Sequence, residues 1–402
     1  MLAPFTQATP LLEMIEAAGY EAYFVGGSVR DSLLGREISD VDIATSALPE
    51  ELKAIFPHTA DVGIEHGTIL VIYNGVPYEI TTFRTESGYS DYRRPDQVKF
   101  IRSLKEDLKR RDFTMNAIAM DRTGKLIDPF NGKQAIATKQ IITVGNPEER
   151  FGEDALRMMR AVRFVSQLNF TIEEETLNAL AQMPHLLGNI AVERKLTEFE
   201  KLLVGPSNNK AISIIVQTGL FNYLPGLIGN AEGVNRMARC NLMGLSKLEL
   251  WTLLTHQVGL NDREASEFLR QWKLPVKQIK QILKILQWLQ YRLDNQWTRL
   301  AAYDAGKETM LSAEILVQSL TGLKTSSEAE LHKFYDQLPI KNRSELDLTG
   351  TILLSWFKKK PGPWVNHYLR LIEEKVIIGE VANGQADIRE WLNNCNQKLE
   401  KD

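Results

Sequence analysis

The chain has 402 residues, 44% hydrophobic and 25% charged, with a formal net charge of −3, which exceeds a single small fold and predicts two to four domains around a large buried core. Its two cysteines, Cys240 and Cys395, are too few for a zinc cluster or a disulfide framework and predict a reducing, cytoplasmic setting. No stretch approaches about 18 uninterrupted apolar residues and no basic patch precedes an apolar run near the start, so neither a membrane span nor a secretory leader is expected.

Up to about residue 145 the pattern is mixed α/β, with short β-like runs at "EAYFVGG", "ISDVDIAT", "GTILVIY", "VPYEITTF" and "NAIAM", and Asn74-Gly75 marking a tight hairpin between the third and fourth. The first run enters Gly26-Gly27-Ser28 and then a predicted helix carrying Arg30. Such a turn lets backbone N–H groups approach phosphates without Cβ obstruction, or is simply a packing turn. In "SDVDIA" a strand would point Asp40 and Asp42 to one side and Val41 and Ile43 into the core. Two such carboxylates are either solvated surface charges or ligands of a hard cation such as magnesium. Glu79 in "PYEITTFR" offers a third carboxylate. Together the three fit a two-metal nucleotidyl-transfer site, with a half-buried strand glutamate as the alternative reading of Glu79.

The polar stretch "FRTESGYSDYRRPDQVK", Phe83 to Lys99, reads as a loop. From Lys99 to Arg111 six basic residues face two acidic ones, a local bias that the net charge conceals. Beyond Asn146 apolar residues recur at three and four, so the remainder is predicted as almost entirely helical, broken at "VGPSNN", "LPGLIGNAEG", "LTGLKTSSE" and "KKKPGPW". Most of the seven tryptophans, which all lie between Trp251 and Trp391, are expected to pack helices.

Taken with "RRDFTMNA", "DPFNG", "EDALRMMRAVRF" and "AVERKLTEFEKLL", the opening motif resembles the class II tRNA nucleotidyltransferases, and the whole chain looks like the compact CCA-adding enzymes of low-GC Gram-positive bacteria. The resemblance implies an α+β nucleotidyltransferase head over 1–148, a helical neck over 149–221 with a nucleotide-selecting helix, a helical body over 222–318 and a helical tail over 319–402, arranged as an elongated hook. It implies addition of C, C and A to the 3′ end of tRNA from CTP and ATP, with Mg2+ and without a template. Family members are often dimers, so it also allows a homodimer. By matching positions Asp40 and Asp42 would hold metal, while Gly27, Arg30, Arg111, Asp154, Arg157, Arg160 and Arg163 would line the nucleotide site.

The residue chemistry is compatible with those assignments. Asp154 and Arg157, three apart, would share a helix face and set an acceptor beside a donor, matching the amine and ring nitrogen of cytosine and adenine. A surface ion pair is the alternative. Arg163 has turned about half a revolution from Asp154 and suits phosphate better than base. Asp112 can accept from a ribose 2′-OH beside Arg111, or close a salt-bridged turn. Lys195 stands where the family pattern usually has an aliphatic residue, which limits the "AVERKL" helix to packing and support of the site. Lys358, Lys359 and Lys360, ahead of a Pro-Gly-Pro turn, are candidates for tRNA phosphates or a solvated helix end.

Two other activities share parts of this pattern. Bacterial poly(A) polymerases have similar head motifs but usually carry a basic "LLGRRF"-like stretch after the head, and here "LLGREISDVD" occurs only before the aspartates. A non-catalytic tRNA-binding protein would not need the intact glycine turn and aspartate pair.

Overall fold

The computed structural model describes residues 2–88, 97–323 and 325–399. The chain divides into two compact units, Met1–Arg239 with Phe268–Lys273, and Cys240–Glu267 with Leu274–Asp402.

The first unit begins with α1 (Ala3–Ala17), β1 (Ala22–Val25), α2 (Gly27–Leu33), β2 (Asp42–Thr45), α3 (Pro49–Ile55), β3 (Thr59–Gly63), β4 (Thr68–Tyr73) and β5 (Val76–Thr82). Next come β6 (Arg84–Ser87), β7 (Gln97–Phe100), α4 (Leu104–Lys109), β8 (Ala119–Met120), β9 (Leu126–Ile127), α5 (Gly132–Ala137) and β10 (Gln140–Ile141). Seven strands form one sheet in the order β3-β4-β5-β2-β1-β8-β9, antiparallel except for the β2–β5 pair. Ile43 lies beside Ile80 across that parallel pair and both are buried, each large apolar side chain contributing roughly 1.5–3 kcal/mol. The residues before each isoleucine, Asp42 and Glu79, therefore share the opposite face. Asn74 and Gly75 both have positive φ, 51° and 78°, as a two-residue hairpin with the twist of its strands requires.

Three sequence expectations are corrected here. "ISDVDIAT" becomes strand only at Asp42, so Asp40 stands in the segment before it. "NAIAM" begins on the last residue of a 3-10 turn, Thr114–Asn116, and only its Ala119–Met120 is strand. Phe83 to Lys99 is not loop throughout: its ends pair as the antiparallel ribbon β6–β7, and 89–96 lie outside the described residues. The 3-10 turn is held from beneath by "DPFNG". Asp128 accepts the backbone N–H groups of Gly132 and Lys133 at 2.7 and 2.9 Å, and a Cβ on Gly132 would come within 2.2 Å of the Thr114 carbonyl oxygen.

Asn146 starts the helical region by accepting from the N–H of Glu148 at 2.8 Å, with Pro147 opening α6 (Pro147–Glu153). Then follow α7 (Leu156–Leu168), the short strand β11 (Thr171–Ile172), α8 (Glu174–Gln182), α9 (Val192–Leu203), α10 (Asn208–Gln217) and α11 (Ala231–Arg239). The second unit is helical: α12 (Lys247–Val258), the start of α13 (Asp262–Gln271), whose residues from Phe268 belong to the first unit, α14 (Val276–Asp294), α15 (Arg299–Ala305), α16 (Lys307–Thr321), α17 (Glu328–Asp336), α18 (Gly350–Phe357), α19 (Pro363–Ile378) and α20 (Gln385–Leu399). Trp251 and Trp272 are fully buried, and Trp288, Trp297, Trp356, Trp364 and Trp391 pack half-buried against the helical cores. Among the described residues no helix is long and apolar enough to cross a membrane.

Candidate functional site

Two cavities in the first unit share a wall made by Gly27, Arg30 and Asp42. The first, about 690 Å³, brings Asp40, Asp42 and Glu79 together with Asp31, and has apolar flanks at Ile38, Val76 and Pro77. The second, about 540 Å³, collects Arg111, Asp112, Asp154, Arg157, Arg160 and Arg163, all anticipated from sequence. It also includes Gly26 of the glycine turn, and Arg110, Asn116, Phe164 and Arg194, which were not anticipated.

The shared wall follows from strand register. Val25 pairs with Asp42, so the chain leaving β1 turns through Gly26 directly beside the aspartate. Gly26 has φ 75° and ψ −137°, and a Cβ there would sit 3.3 Å from Arg111 Nη1 and 3.4 Å from Asp42 Oδ2. Glycine is required at this position rather than at Gly27, which begins α2 and whose Cβ would meet nothing nearer than 3.7 Å. Asp42 is exposed by its accessible surface and opens into both cavities, yet protein packed around the carboxyl still strips it of part of its water. Burial raises its carboxyl above the ordinary value, Arg111 opposes this, and Glu79 and Asp40 push it further up. Crowded carboxylates of this kind are stabilised by a cation. Among the described residues no three histidine, cysteine or acidic side chains, Asp40, Asp42 and Glu79 included, form a group that could by itself hold a metal ion.

The arginines are anchored by carboxylates in and behind the cavity walls. Buried Asp107 receives Arg110 at 2.8 Å and Arg111 at 3.3 Å, leaving the buried Arg111 Nε without a partner. Burial pulls the Arg111 guanidinium below its usual range, with Asp107 opposing. Arg30 is held at both Nε and Nη2 by Asp31, at 2.9 and 2.8 Å, and at Nη1 by Asn116 at 2.7 Å. Arg160 donates twice to Asp112 Oδ2, at 2.7 and 2.5 Å. Burial alone would raise Asp112, but Arg160, the Asn116 amide and the Phe113 N–H hold it down at about 2. Asp112 thus lines the cavity with its carboxylate already engaged.

Arg163 stands 3.1 Å from Glu198 on α9, although neither Arg163 Nε nor Glu198 Oε2 makes a well-formed hydrogen bond. Burial, together with the like charges of Arg160 and Arg30, lowers Arg163 to about 10, so it remains a cation at neutral pH with donor capacity to spare. Phe164 carries three guanidiniums around its ring, Arg163 at 4.4 Å, Arg30 at 5.1 Å and Arg160 at 5.6 Å from the centroid.

Asp154 and Arg157 do not lie on one helix face. α6 ends at Glu153, Asp154 is extended at φ −135° and ψ 102°, and α7 begins at Leu156, whose N–H Asp154 accepts at 3.1 Å. Arg194 on α9 donates to Asp154 at 2.9 Å, whereas Arg157 bonds Glu153 at 2.6 Å and the carbonyl oxygens of Arg150 and Arg110. The two residues reach the same cavity by separate supports. The "AVERKL" helix consequently contributes a cavity-lining residue, Arg194, beyond the packing role expected of it. Lys195, buried, donates to the carbonyl oxygens of Leu187 and Tyr223 at 3.0 and 3.1 Å, and burial lowers its ammonium below the usual lysine value.

In the second unit Lys358, Lys359 and Lys360 follow α18, exposed and without carboxylate partners among the described residues. Beside them Phe357, Trp364 and Tyr368 form an aromatic cluster, with Lys359 Nζ 5.8 Å from the Phe357 ring.

Residues 22–142 match the family model "Poly A polymerase head domain", 169–228 match "Probable RNA and SrmB- binding site of polymerase A", and 245–392 match a model of tRNA nucleotidyltransferase domain 2. The chain is 49% identical over 401 residues to the CCA-adding enzyme of Geobacillus sp. (strain WCH70), covering 98% of each. It is 47% identical over 394 residues to that of Bacillus mycoides (strain KBAB4), covering 98% of this chain and 99% of the relative. A crystal structure of the Bacillus stearothermophilus CCA-adding enzyme in complex with CTP is 46% identical, with a TM-score of 0.92 and full coverage of both chains.

Proposed function

We infer the reaction from one premise: the chain belongs to the CCA-adding enzyme family. It is a tRNA nucleotidyltransferase that adds C, C and A to the 3′ end of tRNA from CTP and ATP without a nucleic-acid template, releasing pyrophosphate. The reaction is that of a metal-dependent enzyme, and we assign magnesium to Asp40 and Asp42 with Glu79 as the third catalytic carboxylate. When bound, the ion would lower the pKa of the attacking hydroxyl and neutralise charge on the leaving pyrophosphate. The assignment of 1–148 to a head, 149–221 to a neck, 222–318 to a body and 319–402 to a tail is part of the same proposal, as is a cytoplasmic location.

The observation that carries the reading is the wall at Gly27, Arg30 and Asp42 that joins a carboxylate cavity to an arginine cavity. The nucleoside triphosphate belongs in the arginine cavity, where cations and the open Gly26–Gly27 backbone suit phosphates. The RNA end belongs in the other. Its terminal 3′-oxygen then attacks the α-phosphorus beside Asp42, and the bond to the β-phosphate breaks. Arg111 spends only Nη2 on Asp107, and Arg163 meets Glu198 through Nε, so both keep Nη donors for the triphosphate. Asp154 and Arg157, each braced from behind, present an acceptor and donors that match cytosine and adenine and oppose uracil and guanine.

Asp42→Ala is expected to abolish incorporation of labelled CTP while tRNA retention on a filter stays within twofold of wild type. Asp154→Ala is expected to keep incorporation but lose about tenfold in preference for CTP and ATP over UTP and GTP. An Asp42→Ala enzyme with more than a few per cent of wild-type turnover would remove Asp42 from the reaction. Unchanged base preference in Asp154→Ala would place selection elsewhere.

A further inference from the structure

Asn116 joins two charged pairs that stand on opposite sides of it. Its Oδ1 accepts from Arg30 Nη1 at 2.7 Å and its Nδ2 donates to Asp112 Oδ1 at 3.0 Å. The amide orientation is dictated by chemistry, since a guanidinium can only donate and an ionised carboxylate can only accept. The result is one hydrogen-bonded chain, Asp31–Arg30–Asn116–Asp112–Arg160, running from α2 through the 3-10 turn to α7. Asn116 is 6% exposed, and its turn is pinned by Gly132 packed against the Thr114 carbonyl, so the amide has little freedom to follow its neighbours.

Arg30 donates three of its five N–H groups to Asp31 and Asn116, and Arg160 donates two of its five to Asp112. Both arginines line the arginine cavity, and both guanidiniums stand over the Phe164 ring, at 5.1 and 5.6 Å from its centroid. What decides the rotation of each guanidinium within its plane is the position of its acceptor. Asn116 sets one acceptor directly and holds the other, Asp112, in place. We propose that Asn116 is a positioning residue for phosphate binding, orienting Arg30 directly and Arg160 through Asp112 so that their free N–H groups converge on the incoming nucleotide. This rests on the reading that the arginine cavity takes the triphosphate.

Asn116→Leu keeps the shape and removes both hydrogen bonds. It should raise KM for CTP and ATP about tenfold or more, as loss of bonds to charged groups implies, and leave KM for tRNA within twofold. Asn116→Asp keeps the acceptor for Arg30 but sets a carboxylate against Asp112, with Arg30, Asp31 and Arg160 the other charges in the chain. Near neutral pH the two carboxylates repel and nucleotide KM should rise comparably. As the pH falls a shared proton restores a donor between them, and the ratio of variant to wild-type KM measured at the same pH should fall toward one.

Nucleotide KM within twofold of wild type in Asn116→Leu, or an Asn116→Asp profile parallel to wild type, overturns the proposal. Should Asn116→Leu not fold, the pH profile of Asn116→Asp decides alone. Arg160→Gln separates the two levels of inference. If it leaves nucleotide KM unchanged, the placement of the triphosphate fails. If it raises KM while the Asn116 variants behave as wild type, only the role of Asn116 fails.

Discussion

Asp112 shows how a residue legible in sequence acquires a different partner in the fold. The choice between a ribose acceptor and a salt-bridged turn was open in "RRDF", because Arg160 lies 48 residues away. The structure pairs the two and holds Asp112 at about 2, below its unfolded value near 3.9. A carboxyl with a depressed folded pKa contributes stability that is present above the unfolded pKa and lost as pH falls through the folded one. Asp112→Asn should therefore cost about 2 kcal/mol in urea unfolding at pH 7, with the difference narrowing between about pH 4 and pH 2. A constant difference across that window would mean that the pair contributes packing rather than charge. Asp107 and Glu198 escaped the sequence because each acts on the site through another side chain, while Asn116, Phe164 and Arg194 line the cavity beside partners far along the chain, Arg30 for the first two and Asp154 for Arg194. Only the charge-rich run from Lys99 to Arg111 hinted that something buried must balance adjacent arginines.

At the scale of elements, period and punctuation located the strands and helices but not their ends. "EDALRMMRAVRF" contains no glycine or proline, so it reads as one helix, yet the chain breaks at Asp154 and restarts with that aspartate accepting the Leu156 N–H. The available signal was an aspartate followed by an apolar run, a local cap competing with helix continuation. The β1–α2 turn was read as Gly-Gly, but backbone geometry separates the two glycines. Gly26→Ala should destabilise by about 1–3 kcal/mol and impair incorporation by pushing Asp42 and Arg111 apart, whereas Gly27→Ala should be mild. Equal melting temperatures for the two variants would contradict that distinction. At the α18–α19 junction the three lysines, without carboxylate partners among the described residues, and Pro361-Gly362-Pro363 sit where they were expected. If Lys358, Lys359 and Lys360 meet tRNA phosphates, changing all three to alanine should flatten log K against log salt by roughly 0.7–0.9 per lost contact. An unchanged slope would leave them a solvated helix end.

For the whole molecule, the α+β head and the helical remainder were legible because hydrophobic period changes at Asn146, which turns out to cap the first helix of the helical region. The division into two compact units was not, since Phe268–Lys273 leaves its sequence neighbours to join the first unit, and no local pattern encodes that. The net charge of −3 gave no sign of a nucleic-acid substrate because the arginines of the site are matched by buried carboxylates. The most direct test of the central claim supplies this enzyme with magnesium, all four nucleoside triphosphates and a tRNA ending at its discriminator base, and sequences the product 3′ ends. The account predicts ends of CCA with no further extension; tracts of A in place of CCA, or no extension at all, would contradict it.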